Sequence, residues 1–270
     1  MLKKLSISDC PVLECIAEDF HETTDLERIH MYAVGNIKSL PRGIDKLSHL
    51  QEISLYNCSN LVACFDEIGL PTTNLIDFTV VICENIVALP KCISNCTSLK
   101  KLVVSHCGAD RSFSEEGFPI NLTSLRIFNA PEIYSSLVEW GFHRLSSLQQ
   151  LLITGEECSN VVSFPEESIG MRLPPSLTSI RISNFDNLEF MCTKGFQHLT
   201  SLEELHITDC PKLTSLPDKH MLLSLGELVI ESCPLLTEEC RRVKGPEWSK
   251  ISHIPYVRID DEYFIPKEVD

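Results

Sequence analysis

"LEELHITDCPKLTSLP", Leu202 to Pro217, starts as a strand and then leaves it by an unusual route. Leu205 and Ile207 alternate with His206, the period-2 pattern of a half-buried strand. Cys210 follows, then Leu213 and Leu216, each three residues on, then Pro217. A short strand, an inward turn and a descending segment would all send apolar side chains into one interior. Such a coil cannot bury its own apolar face and must stack on copies of itself.

Those copies are present. "LKKLSISDCPVLECI" begins at Leu2, "LQEISLYNCSNLVACF" at Leu50, "LIDFTVVICENIVALP" at Leu75 and "LGELVIESCPLL" at Leu225. Further copies begin at Leu26, Leu99, Leu122, Leu148 and Leu177, so successive anchors lie 23 to 29 residues apart. A sustained form L-x-x-L-x-L-x-x-(N/C)-x-x-L with a period in the twenties is the signature of leucine-rich repeats. The expected fold is an α/β solenoid of about ten repeats. It is a leucine-rich-repeat horseshoe with a short-stranded parallel sheet on the concave face and irregular or short helical convex segments.

The turn position after each strand is held by Cys10, Cys58, Cys83, Cys107, Cys158, Cys210 and Cys233, with Ala130 and Phe185 replacing cysteine in two repeats. A free cysteine is a small hydrophobe with a weak donor, suited to a buried turn beside backbone groups. The total of 13 cysteines is odd, and seven sit one per coil, which is a packing pattern that fits a reducing compartment. Three sequons, at Asn57, Asn95 and Asn121, are chance products of an Asn/Ser-rich repeat.

The 270 residues, 43% hydrophobic, suit a single elongated domain over 1–260. No apolar run approaches the roughly 18 residues a membrane helix needs, and Asp9 and Glu14 interrupt any signal-peptide core. Cytoplasm is therefore the expected location, with the nucleus as the other choice. A net charge of −15 argues against nucleic acid as partner. The first coil, with Leu2, Leu5 and Ile7, shows no polar cap, so its outer edge is expected to be open or covered by another domain. At the other end a cap is expected over 237–260. Thr237 would cap a short helix stopped by Gly245-Pro246, and a last strand would point Ile254, Val257 and Ile259 inward. Residues 261–270 are expected to be a flexible acidic tail.

Catalytic chemistry finds little support. Cys92 and Cys96 have no second ligand pair at metal-site spacing. His106 and Cys107 are strand neighbours that face opposite ways. No Gly-rich phosphate loop is present. No catalytic residue, metal or cofactor is expected, and the chain is expected not to be an enzyme.

The informative positions are the third, fifth and seventh of each repeat, which period-2 alternation places on the open sheet face. The middle repeats put Val81, Val103, Arg126, Phe128, Leu152 and Arg181 there, and Tyr32 and Tyr56 lie one coil apart. Core positions vary little between repeats, whereas these vary freely. Tyr32, Tyr56, Val81, Val103, Arg126, Phe128, Leu152 and Arg181 are therefore the expected partner-binding residues. Glu204, Glu227 and Glu231 mark the last repeats as an acidic, solvated edge.

"LTSLEELHITDCPKLTSLPD", "PPSLTSIRISNFDNLEFM" and above all the closing "LVIESCPLLTEECRRVKGPEWSKISHIPYVRID" resemble the C-terminal leucine-rich-repeat region of plant coiled-coil-type nucleotide-binding disease-resistance proteins. The resemblance implies a recognition and regulatory module of an intracellular immune receptor. Its partners would be a pathogen effector or a guarded host protein, and the receptor's own nucleotide-binding domain, which it would hold inactive. The coiled-coil and nucleotide-binding domains themselves do not match any part of this sequence. Two other classes use such arrays. A substrate-binding array of an F-box ubiquitin ligase would carry an F-box-like helical segment, which is not seen. An extracellular plant receptor would favour Asn at the turn, a Gly-x-Ile-Pro step and cysteine-paired caps.

Overall fold

The computed structural model describes residues 2–20, 25–62, 69–86, 90–105, 117–241 and 246–264. The chain divides into two compact units, 1–141 and 142–270. In the first, β1 (Lys4–Ser8), β2 (Arg28–Tyr32), β3 (Glu52–Tyr56), β4 (Asp77–Val81), β5 (Lys101–Ser105) and β6 (Ser124–Phe128) pair in chain order, all parallel. Every register aligns equal repeat positions, so Leu5 faces Ile29, Ile29 faces Ile53 and Ile53 faces Phe78.

The second unit repeats the plan with β7 (Gln150–Thr154), β9 (Ser179–Ser183), β11 (Glu204–Thr208), β12 (Glu227–Glu231) and β13 (Tyr256–Ile259). Two short strands of the connecting segments, β8 (Ser163–Phe164) and β10 (Phe190–Met191), form a separate parallel pair. Among the described residues the remaining connections hold 3-10 turns and four short helices. These are α1 (Pro131–Ser136), α2 (Thr193–Phe196), α3 (Pro234–Arg241) and α4 (Pro246–Ile251). Parallel five-residue strands on one side and irregular returns on the other are the architecture of a leucine-rich-repeat solenoid.

The core runs through the coils as the spacing predicts. Leu26, Leu50, Leu75, Leu99, Leu122, Leu148, Leu177 and Leu202 are all fully buried. Leu205, Ile207, Leu213 and Cys210 of the quoted coil are equally so. Removing such a Leu or Ile side chain from water contributes about 1.5–3 kcal/mol. Leu2 is instead 55% exposed, and the inward Leu5 and Ile7 are only half-buried, because β1 has a strand on one side alone.

The strand ends by a device the sequence reading passes over. The residue after each strand is left-handed at Asp9, Ala33, Asn57, Ile82, Asn129, Asn184, Asp209, Ser232 and Asp260. At Asp9, Ala33, Asn57, Ile82, Asn184 and Asp209 its amide donates to the carbonyl that closes the next strand, as in Asn57 N to Val81 O at 2.8 Å and Asp209 N to Glu231 O at 3.0 Å, whereas Ser232 N donates to Asp260 Oδ1 at 2.9 Å. The turn cysteine then donates its thiol back to its own strand's last carbonyl. Cys58 reaches Tyr56 O at 3.5 Å, Cys210 reaches Thr208 O at 3.4 Å, and Cys233 reaches Glu231 O at 3.2 Å. Cys107 lies outside the described residues. The coil starting at Leu148 departs from this plan. Gly155 takes the position after the strand, and a Cβ there would lie 2.2 Å from the Phe185 ring. The large ring at one turn position thus requires a glycine in the preceding coil.

The C-terminal end differs in detail from expectation. The helix begins at Pro234, three residues before Thr237, so Thr237 does not cap it. Thr237 is buried and its hydroxyl approaches Asp260 Oδ2 at 3.4 Å. Pro246 opens a second helix, α4, whose Glu247 is buried. Glu247 Oε2 accepts from Leu216 N at 2.8 Å, and Lys250 Nζ donates to both Leu216 O and Glu247 Oε1, each at 2.8 Å. The pair satisfies both backbone groups of one residue. Ile254, Val257 and Ile259 are buried, as expected. Within the expected tail, β14 (Glu262–Phe264) pairs antiparallel with β13, and 265–270 lie outside the described residues.

Candidate functional site

In the first unit the seventh positions form one row: Ser8, Tyr32, Tyr56, Val81, Ser105 and Phe128 are successive register partners. Tyr32 is 54% exposed and Tyr56 37%, while Val81 and Phe128 are half-buried. Ile82, thrust out by its left-handed turn, adds a further exposed apolar side chain beside Val81. Val103 is a correction. It faces outward in alternation but is only 7% exposed, lying between Thr79 and Arg126 in the register. It therefore supports the face without offering itself to a partner.

Polar groups on this face largely satisfy one another. Arg28 Nε and His30 Nε2 lie 3.8 and 2.9 Å from the carboxylate of Glu52, although the buried His30 Nε2 makes no aligned hydrogen bond. Lys101 Nζ lies 2.6 Å from Asp77 Oδ2, and Thr79 donates to Asp77 Oδ1 at 2.9 Å. β6 breaks the pattern. Arg126, half-buried, has no ion pair or hydrogen bond among the described residues, and the buried Ser124 hydroxyl has no partner.

In the second unit Leu152 is half-buried and is the register partner of Arg181. Arg181 is exposed, but its Nη2 lies 3.6 Å from Glu204 Oε2, so it is already engaged. His206 sits between these groups, with Nε2 3.1 Å from Glu227 Oε1 but no aligned hydrogen bond. Burial, and then the Arg181 charge, lower its pKa, outweighing Glu227 and Glu204. Val229 is buried beside it. Arg258 pairs with Glu231. The eight sequence-predicted residues thus comprise two exposed tyrosines, three half-buried apolar side chains, one buried valine, one free arginine and one paired arginine.

The thiols are placed for packing. Burial pushes the Cys96 thiol up to about 12, and it donates to Cys92 O at 3.7 Å, which keeps it protonated and a poor metal ligand. Among the described residues no group of three or more His, Cys, Asp or Glu side chains could hold a metal ion. No described helix is long and apolar enough to cross a membrane. Between connecting segments of the second unit lies an open depression of about 520 Å³, bounded by Pro165, Met171, Arg172, Cys192, Lys194 and His198. Its Lys194 is tied to Glu167 at 3.0 Å.

Fold and face together define a leucine-rich-repeat protein whose coils are uniform inside and individual on one face. The chain is homologous to plant disease-resistance proteins. It is 36% identical over 200 residues to a putative disease resistance protein of Arabidopsis thaliana, covering 74% of this chain. It is 28% identical to the disease resistance protein RPS6 of Arabidopsis thaliana over 83% of this chain, and 26% identical to the TMV resistance protein N of Nicotiana glutinosa over 80%. The chain spans only 14% to 18% of the length of these relatives. No protein-family model matches it. A leucine-rich-repeat protein of Leptospira interrogans covers 90% of the chain at 16% identity with a TM-score of 0.22, too low to bear on the fold.

Proposed function

We propose that this chain is the recognition and regulatory module of a plant intracellular immune receptor. In that reading it is the C-terminal leucine-rich-repeat region of a receptor of the coiled-coil, nucleotide-binding type. The face of β2 to β6 senses a pathogen effector or a guarded host protein, and the module restrains the receptor's nucleotide-binding domain. The observation that carries the reading is the pair of exposed tyrosines, Tyr32 and Tyr56, in register on one sheet face. Aromatic side chains and arginine are the usual anchors of protein interfaces. Homology to resistance proteins along 74% to 83% of the chain supports the setting. The relatives give the F-box alternative no support. The chemistry is binding, without a reaction of its own.

The test is partner-triggered cell death in leaves expressing the full-length receptor. The variant Tyr32→Ala/Tyr56→Ala should abolish the response while Glu227→Ala, at the acidic end, leaves it intact. A response lost in the Glu227 variant and kept in the tyrosine variant places recognition elsewhere.

A further inference from the structure

Strands β6 and β9 carry the same outward pair, serine at the third position and arginine at the fifth: Ser124 and Arg126 in one, Ser179 and Arg181 in the other. In β9 the pair holds a carboxylate. Ser179 Oγ donates to Glu204 Oε2 at 2.9 Å, and Arg181 Nη2 lies 3.6 Å from the same oxygen. In β6 the pair holds nothing. The Ser124 hydroxyl is only 6% exposed and unpartnered, and Arg126 is free among the described residues. In sequence, the repeat after β9 supplies Glu204 at its third position.

We infer that Ser124 and Arg126 are a carboxylate-binding pair whose acid, an aspartate or glutamate side chain, comes from the protein partner. The inference rests on the sheet face being the recognition surface. β9 is an internal template for the geometry, because alternation puts residues two apart on one face in both strands. A buried, unpaired hydroxyl is costly and alanine would avoid the cost, so its retention beside a free guanidinium points to a ligand. Phe128, two residues on, and Val103, the register partner of Arg126, wall the site with apolar surface, which strengthens a charge-assisted hydrogen bond. Glu52 and Asp77 on the same face limit the partner to a single carboxylate rather than an acidic patch.

The probe is blocked aspartate (N-acetyl-aspartate methylamide), with blocked asparagine as control, titrated into the folded protein. Arginine Nε–Hε resonances are followed by nitrogen-15 NMR, with Arg126→Lys giving the assignment. The Arg126 resonance should shift saturably with the aspartate probe and not with asparagine, and Ser124→Ala should weaken that binding about tenfold. Arg181 should stay silent until Glu204→Gln vacates its site, and should then respond as Arg126 does. The proposal is overturned if Arg126 responds no more than Arg181, responds equally to asparagine, or is indifferent to Ser124→Ala. Probe failure while Tyr32→Ala/Tyr56→Ala still abolishes the response removes the carboxylate inference alone. If the tyrosine variant responds normally, the recognition face itself falls.

Discussion

Ile82 is the residue whose side chain and backbone disagree most. It occupies the left-handed turn position with φ 54, where most other coils use Asp, Asn or another small residue. A β-branched residue there costs about 1–2 kcal/mol, and Ile82 is 43% exposed, so burial offsets only part of the strain. Ile82→Asn is expected to raise stability by about 1 kcal/mol, read as a higher denaturant midpoint with unchanged slope. Gly155 shows the opposite case, a small residue dictated by a large neighbour. Gly155→Ala should cost upwards of about 2 kcal/mol through collision with Phe185. In the double variant Gly155→Ala/Phe185→Cys the two losses should fall well short of additive. Additive losses would show that ring and glycine are not coupled. The signal for the left-handed position lay in the sequence, since Asp9, Asn57, Asn129, Asn184 and Asp209 all precede the turn residue. Asp and Asn tolerate that conformation. The leucine spacing drew attention to the apolar positions and away from it.

The strands were legible in their alternation, and the observed five-residue elements sit where it places them. The C-terminal helices were not. α3 opens on Pro234 because proline suits a first helical turn, whereas the reading gave that start to Thr237 for its hydroxyl. The buried Glu247 was also beyond the pattern, because its partner, Leu216, is 31 residues away. Removing it leaves the Leu216 amide without its acceptor and Lys250 without its counter-charge. Glu247→Ala should therefore cost about 3–5 kcal/mol, while the exposed Glu238→Ala stays near neutral. In the β9–β11–β12 region, His206 has a folded pKa below its ordinary 6.5. The unfolded chain then binds more protons, so this contribution to stability is intact above about pH 6.5 and is lost as pH falls below it. His206→Gln should flatten the pH dependence of the melting temperature below pH 6.5. A profile unchanged by the substitution would mean that the ring does not titrate in the folded state as described.

Across the whole molecule the cysteines offer one measurable map. Cys15 is exposed, whereas Cys58, Cys83, Cys210, Cys233 and Cys240 are buried. Burial holds the Cys240 thiol up at about 12, and its hydrogen bond with Cys233 raises Cys210 together with burial. Native protein should lose Cys15 to a thiol reagent within the first phase, and the buried thiols only at the rate of unfolding. Comparable rates for all of them would refute the turn assignment. Of the proposed recognition face, the sequence revealed which side chains look outward but not which were already engaged. Arg126 and Arg181 are indistinguishable in pattern, and only the carboxylate of Glu204 separates them.

The equal-position register has a consequence for heredity. Within each unit the parallel strands of the main sheet meet through the same repeat positions, Leu205 to Leu228 as Leu5 to Ile29. A gene rearrangement that duplicates or excises one whole coil therefore rejoins backbone groups of the same kind, and the ladder closes without a seam. Point substitutions at exposed outward positions such as Tyr32 and Tyr56, meanwhile, alter the outward surface without touching the interior. Novel specificities can then arise by shuffling at the scale of a coil and by drift at the scale of a codon, on a scaffold that registers neither as damage.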